Sequence, residues 1–314
     1  MQQPDRSTWK DAQGITHAGE LLETVNTFEV IECEHCRFKH VLPLPTAKEL
    51  ETIYSHEYYS TEKPLYIERY LEDKEWWDAV YAARYDRLEE YLPPERRKLL
   101  DVGSGPGLFL KQGEQRGWQV MGIEPSEKAA DYSKNTLKLD IRECFLNTET
   151  AKTLGKFDVI NMGEVLEHLP DPKGMLKIAC DMLEEGGVLT LIVPNDFNPF
   201  QQILRENCGF EPWWVAPPHH LNYFNIPSLS DLVQSVGFRV AHTETTFPID
   251  MFLLMGKNYV GNDSVGREVH GLRKSFDLNL TTSRNNFSKI IYEKFAELGI
   301  GREIVIFAKK MEIQ

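Results

Sequence analysis

The chain has 314 residues, of which 41% are hydrophobic and 26% charged, with a formal net charge of −13. That length accommodates one large or two modest domains, and no apolar run approaches the roughly 20 residues that cross a bilayer. The acidic balance argues against nucleic acid as a partner, and five cysteines without a dense framework argue against a disulfide scaffold. With no basic-then-apolar leader pattern in Met-Gln-Gln-Pro-Asp-Arg, the expectation is a cytoplasmic protein without membrane insertion.

Residues 1–60 read as a small β-rich module around Phe28–Cys33, followed by the turn-rich Val-Leu-Pro-Leu-Pro at 41–45. Cys33-Glu-His-Cys36 has the spacing of half a zinc knuckle. His17 lies upstream and His40 follows Cys36 by four, so His17, Cys33, Cys36 and His40 are a candidate set for structural zinc. The other reading is a hairpin with two free thiols. Residues 61–95 read as a helical linker or lid, with Tyr66, Tyr70, Trp77, Tyr81, Tyr85 and Leu88 at helical spacing and Pro93-Pro94 as its stop. Such a stripe predicts packing rather than a binding box.

Residues 96–314 alternate between strands and helices. Strands are predicted at 98–102, 119–123, 140–145, 157–162, 188–194, 238–243 and 303–308, and helices at 108–116, 127–135, 172–184 and 228–235. Ser126 and Asp171 stand at N-cap positions. The alternation predicts an α/β fold, a doubly wound parallel sheet with helices on both faces. The last strand lacks its own crossover helix and can enter antiparallel. A helical insertion is expected over 247–300, as a lid or a homodimer contact.

The densest chemical signal is Leu99–Leu110, an apolar strand running into Asp101-Val-Gly103-Ser104-Gly105-Pro-Gly107-Leu108. Glycines there let the backbone lie against a ligand. A dinucleotide fingerprint needs glycine at 108, where leucine stands, which weakens a dehydrogenase reading. Asp101 is a poor neighbour for a pyrophosphate and a good one for a cation, which points to S-adenosylmethionine. Glu124 and Pro125, at the end of the next strand, stand about 20 residues on, where an acid can hold ribose hydroxyls. Phe145 and Leu146 end the third strand, where adenine would lie, and Met162 and Gly163 end the fourth.

Two regions could carry the chemistry. The loop Pro212-Trp213-Trp214 to His219-His220-Leu-Asn-Tyr223-Phe224 offers His220 and Tyr223 as proton acceptors, with the aromatics as pocket walls. Glu164, Glu167 and His168, on a helix after the fourth strand, could instead share a divalent cation; His168 could also act directly.

Four pieces, D-V-G-S-G-P-G, G-I-E-P-S, F-D-V-I-N-M-G-E-V-L-E-H-L-P-D-P and G-G-V-L-T-L-I-V-P-N, together resemble class I S-adenosylmethionine-dependent methyltransferases over residues 97–245. The resemblance implies a seven-stranded Rossmann-like sheet with its last strand antiparallel. The H-L-N-Y-F run is similar to methyltransferases acting on sugars and other small molecules, and E-x-x-E-H to quinone-pathway O-methyltransferases. Some small-molecule methyltransferases also carry an N-terminal zinc ribbon followed by a P-x-P turn and a Tyr-Tyr run, here Pro43–Pro45 and Tyr58-Tyr59. This chain lacks that ribbon's first cysteine pair. The expected function is methyl transfer to a small-molecule acceptor: a sugar, lipid-precursor or quinone-like hydroxyl, with carbon or nitrogen as alternatives. A catalytically silent cofactor-binding or scaffold protein is the reading from another class.

Overall fold

The computed structural model describes residues 5–11, 13–46, 49, 65–281 and 287–311. The Tyr58-Tyr59 run lies outside them. Among the described residues no helix is long and apolar enough to cross a membrane.

Four N-terminal strands, β1 (Arg6–Lys10), β2 (Thr16–Val25), β3 (Phe28–Cys33) and β4 (Lys39–Leu42), form an antiparallel meander. Helices α1 (Tyr66–Glu72) and α2 (Lys74–Tyr91) follow, meeting at Asp73. Then come β5 (Lys98–Val102), α3 (Leu108–Gln115), β6 (Gln119–Ile123), α4 (Glu127–Asp131), β7 (Ile141–Arg142) and α5 (Thr148–Leu154). The chain continues through β8 (Phe157–Gly163), α6 (Pro172–Met182), β9 (Leu183–Pro194) and α7 (Pro199–Cys208). The remainder is β10 (Asn222–Tyr223), α8 (Ile226–Gln234), β11 (Phe238–Thr245), α9 (Met251–Leu254), α10 (Asp263–Thr281), α11 (Phe287–Glu297) and β12 (Glu303–Lys310).

The main sheet has seven strands in the order β11-β12-β9-β8-β5-β6-β7. Strands β9, β8, β5, β6 and β7 run parallel, and β12 is antiparallel to both β9 and β11. This is the predicted seven-stranded fold with its last strand reversed. Successive residues of one strand serve opposite faces. Leu100 and Ile160 join Leu176, Leu189, Leu229 and Ile306 on one side. Leu99 and Val159 join Tyr85, Leu88, Leu110 and Phe307 on the other. Strands covered on both faces read as continuous apolar runs, which is why they were legible.

Three local expectations are corrected. The Ser126 side chain makes no cap bond, whereas Asp171 accepts from the Gly174 amide at 2.8 Å. The third strand shrinks to Ile141–Arg142, and 143–147 follow as a loop. Helices α5 and α7 went unpredicted, although Asn147 and Asn198 each form a capping box and Pro199 stands at a first-turn position. Asn-Pro at 198–199 was the missed signal.

The loop after β9 departs most from expectation. Its H-L-N-Y-F run supplies β10, which pairs Asn222 with His40 and Tyr223 with Lys39, and so becomes the fifth strand of the N-terminal sheet. Trp214, Val215, Leu221 and Tyr223 bury against Val30 and Val41. Phe38 reaches the other way, meeting Phe224 at 5.1 Å between centroids within the main core. The two sheets are thus interlocked.

Candidate active site

A cavity of about 760 Å³ opens at the carboxyl ends of β5, β6 and β8. Parallel sheets bind ligands there because strand order reverses at that point. The turn after β5 forms its floor. Gly103, Gly105 and Gly107 have φ of 71°, 52° and 78°, a region costly for any residue with a Cβ. A Cβ on Gly103 would lie 2.7 Å from Val165 Cγ2. Gly107 does not line the cavity: it begins α3, and a Cβ there would meet Leu139 and Ser133. The Gly103 and Ser104 amides donate to the Ile123 carbonyl, tying the turn to β6. Ser104 Oγ is buried without a hydrogen-bond partner and packs against Gly122, where a Cβ would lie 2.6 Å from it.

Two buried carboxylates stand beside the turn. Asp101 accepts from Asn161 Nδ2 at 2.7 Å, and burial pushes its pKa up to about 7 against that hydrogen bond. Glu124 accepts from the Gly105 amide at 2.7 Å and the Ser126 amide at 2.8 Å. Burial raises its pKa to about 7 as well, with the two amides pulling it down. A carboxylate held this high gains most when a cation or hydroxyl donors arrive. Pro125, Cys144, Phe145, Leu146 and Gly163 complete this half of the cavity, with Phe145 38% exposed. Met162 turns away into the core beneath the sheet.

The other half is built by helices. Tyr66, Tyr70, Trp76, Trp77, Tyr81 and Arg84 from α1 and α2, with His270 and Arg273 from α10, line it. The aromatic stripe read as packing is therefore divided. Tyr85 and Leu88 are buried against the sheet, while Tyr70, Trp77 and Tyr81 stack on one another at 5.4–6.2 Å along the cavity wall. Arg84 lies over the Tyr81 ring at 5.6 Å and close enough to Asp101 to draw its pKa down. Sequence reasoning missed Arg84, His270 and Arg273, because only tertiary packing brings α10 over α2.

Between the halves lies the turn after β8. Glu164 has φ of 57°, and residues 166–168 form a single 3-10 turn, not the expected helix. Glu164 lines the cavity, but a helical face shared with Glu167 and His168 does not exist. Instead Glu167, His168 and His220 gather, each with a potential ligand atom within 4.8 Å of the others. Glu167 is 1% exposed with no hydrogen-bond partner on either carboxylate oxygen, and burial raises its pKa far above the usual range. His168 lines the cavity, and its Nδ1 meets the His219 carbonyl at 2.7 Å. A carbonyl can only accept, so Nδ1 is the N–H donor, and Nε2 stands 3.7 Å from Glu167 Oε1. His220 packs edge-on behind it at 5.1 Å and does not reach the cavity.

Tyr223 is placed away from the site. Its hydroxyl donates to the His220 carbonyl at 3.0 Å and accepts from the Ala216 amide at 3.2 Å. Burial pushes its pKa up, which makes it a poor proton acceptor near neutrality. Trp213, Trp214 and Phe224 likewise do not line the cavity. The predicted pocket wall is the joint between the two sheets.

The four N-terminal candidates do converge. His17 Nδ1 stands 3.2 Å from His40 Nε2, 3.4 Å from Cys36 Sγ and 3.8 Å from Cys33 Sγ. Tetrahedral zinc with its usual bond lengths would set neighbouring donors about 3.3–3.8 Å apart. The outer nitrogens suit ligation too: His40 Nδ1 donates to the Val41 carbonyl at 2.9 Å, and His17 Nε2 faces Asp11 at 3.6 Å.

A model of the methyltransferase domain matches residues 73–243, more than half of the chain. A ubiquinone biosynthesis O-methyltransferase of Coxiella burnetii (strain Dugway 5J108-111) is 26% identical over 237 residues, covering 70% of this chain and 92% of that protein. The enzyme of the same name from Stutzerimonas stutzeri (strain A1501) is 27% identical over 126 residues; the match covers 36% of this chain and spans about half of the relative, 54%. A SAM-dependent methyltransferase from Archaeoglobus fulgidus superposes with a TM-score of 0.48 at 18% identity, over 77% of this chain and 99% of that one. The chain belongs to the methyltransferase-domain family and is a methyltransferase.

Proposed function

We propose that the enzyme methylates a hydroxyl on a small acceptor, lodged between the glycine turn and the helical wall. The observation that carries this reading is one cavity lined by Asp101, Gly103 and Glu124 on one side, Tyr70, Trp77 and Tyr81 on the other, and His168 between them. In this reading Asp101 and the turn hold the donor's ammonium, Glu124 its ribose hydroxyls, and Phe145 and Leu146 its adenine. Arg84 takes its α-carboxylate. Methyl transfer from a sulfonium is an in-line displacement, so alignment supplies most of the rate. His168 Nε2 takes the acceptor's proton, with His220 bracing the ring. Ring-bearing acceptors fit the stacked aromatics, and the ubiquinone-biosynthesis name of two relatives supports a hydroxylated one. Incubation with the donor and a panel of hydroxylated ring compounds tests this; products one CH2 heavier support it. Donor turnover confined to amines or carbon acids would overturn it.

A second reading has one supporting observation, the orphaned Glu167 carboxylate beside His168 and His220. A divalent cation held by those three would lower the pKa of the acceptor hydroxyl. Activity that survives exhaustive chelation would rule it out.

For the N-terminal module we propose structural zinc on His17, Cys33, Cys36 and His40. It would staple β2, β3 and β4 and, through β10, brace the 166–168 turn, because the Leu221 amide donates to the Glu167 carbonyl at 2.7 Å and Asn222 Nδ2 to the Leu166 and Leu169 carbonyls. One zinc per chain in elemental analysis supports it. Helix α10, through His270 and Arg273, serves as the cavity's outer wall.

A further inference from the structure

Charge is segregated within the cavity. Its strand side carries Asp101, Glu124, Glu164 and Glu303, while its helical side carries Arg84, Arg273 and His270. A cationic donor suits the first set, and the donor's own carboxylate occupies Arg84 in the function proposed above. His270 is already paired with Asp73 at 2.7 Å. Arg273 is left over.

Its side chain is 10% exposed, with the guanidinium 4.8 Å from the Trp76 ring centroid. Its Nε is buried without a hydrogen-bond partner. Among the described residues, the one carboxylate within 4.0 Å is Asp277, whose Oδ2 stands 3.9 Å from Nε, beyond hydrogen-bond reach. Asp277 is otherwise engaged: it accepts from Trp76 Nε1 at 2.7 Å and from the Tyr292 hydroxyl. A guanidinium this buried is costly unless an anion meets it, and its planar fork suits a two-oxygen group. The Trp76 ring lies beneath the guanidinium and holds it in place.

We propose that Arg273 reads an anionic group, a carboxylate or a phosphate, on the methyl acceptor. The acceptor's apolar body lies along Trp76 and the Tyr70–Trp77–Tyr81 stack. This rests on the reading that the helical half of the cavity receives the acceptor, and it makes Arg273 a specificity residue.

The test is calorimetry on the full chain saturated with S-adenosylhomocysteine, titrated with 2-naphthoate, 2-naphthyl phosphate and uncharged 2-naphthamide. At least one anion should bind about tenfold or more tighter than the amide, the scale of a charge-assisted hydrogen-bond pair. Which anion leads distinguishes a carboxylate from a phosphate acceptor. Arg273→Gln should bring that anion to the amide's level, and Arg273→Lys should restore only part. Affinity for S-adenosylhomocysteine should stay within about twofold in both variants, since Arg273 is assigned no donor contact. An amide that binds as well as both anions in the wild type, or no binding of either anion at millimolar concentration, overturns the proposal. So does a Gln variant that weakens acid and amide equally. Anion preference without methyl transfer to any hydroxyl would leave this inference standing and remove only the O-methylation reading. Hydroxyl transfer without anion preference would do the reverse.

Discussion

On the strand side of the cavity, the key polar groups sit within a few residues of a strand's end and are held largely by backbone bonds, with the Asn161 side chain as donor to Asp101. Glu124 is clasped by two amides, and the turn that carries Gly103 and Ser104 hangs from the Ile123 carbonyl. On the helical side, position depends on side chains meeting across elements: Trp76 with Asp277, Arg273 with Trp76, and Asp73 with both His270 and Lys274. Backbone-built geometry varies little with side-chain identity, whereas side-chain-built geometry can be rewritten by a few substitutions. A constant donor and a variable acceptor call for that division.

Perturbing each side in turn should separate the two. The largest effect is expected where they meet: His168→Ala should lower kcat by about 10²–10⁴-fold, the range of a lost proton acceptor, with S-adenosylhomocysteine binding intact by calorimetry. Next, on the strand side, Asp101→Asn should weaken donor binding by roughly 10–100-fold, as expected for losing a charged hydrogen-bond partner, while any bound acceptor turns over near its normal rate. On the helical side, Asp73→Asn loosens α10 from the α1–α2 junction. It should raise the acceptor KM about tenfold or less and leave donor affinity within about twofold. The smallest effect is expected from Tyr223→Phe, about 1 kcal/mol of stability by denaturant titration with unchanged turnover per folded molecule. A collapse in turnover there would mean that the 211–224 loop reaches the chemistry after all.

The same division explains what could be read from the sequence. Glycines at 103 and 105 with acids at 101 and 124 are a local pattern, because β5 and β6 are adjacent in both sequence and space. Phe145 and Leu146 line the same cavity from the loop that follows β7, the strand next to β6. His220 and Tyr223 lie outside the cavity because β10 pairs with β4, a contact no local pattern encodes. The Glu164 position failed on backbone conformation, since its positive φ ends the run before a helix can start. Gathering His17 with Cys33, Cys36 and His40 needed only hairpin register, and spacing sufficed there.

The central claim is that the Asp101 end of the glycine turn receives a cationic methyl donor. Burial raises the Asp101 pKa to about 7 in the free protein, so a protonated fraction is present near neutrality. An incoming ammonium favours the ionised form, so binding must release a proton and weaken as pH falls through that value. The sign for stability follows as well: a carboxyl raised above its unfolded value holds more protons in the native state, so its contribution to stability falls as pH rises from about 4 to 7. Calorimetry with S-adenosylmethionine between pH 8 and pH 6, in buffers of different ionisation enthalpy, reads the binding effect directly. Because Asp101 and Glu124 both carry pKa values raised to about 7, a single site is expected, with binding about tenfold or more weaker at pH 6 than at pH 8 and net proton release near neutrality. Binding of unchanged strength across that range with no proton released, or no binding at all, would contradict it.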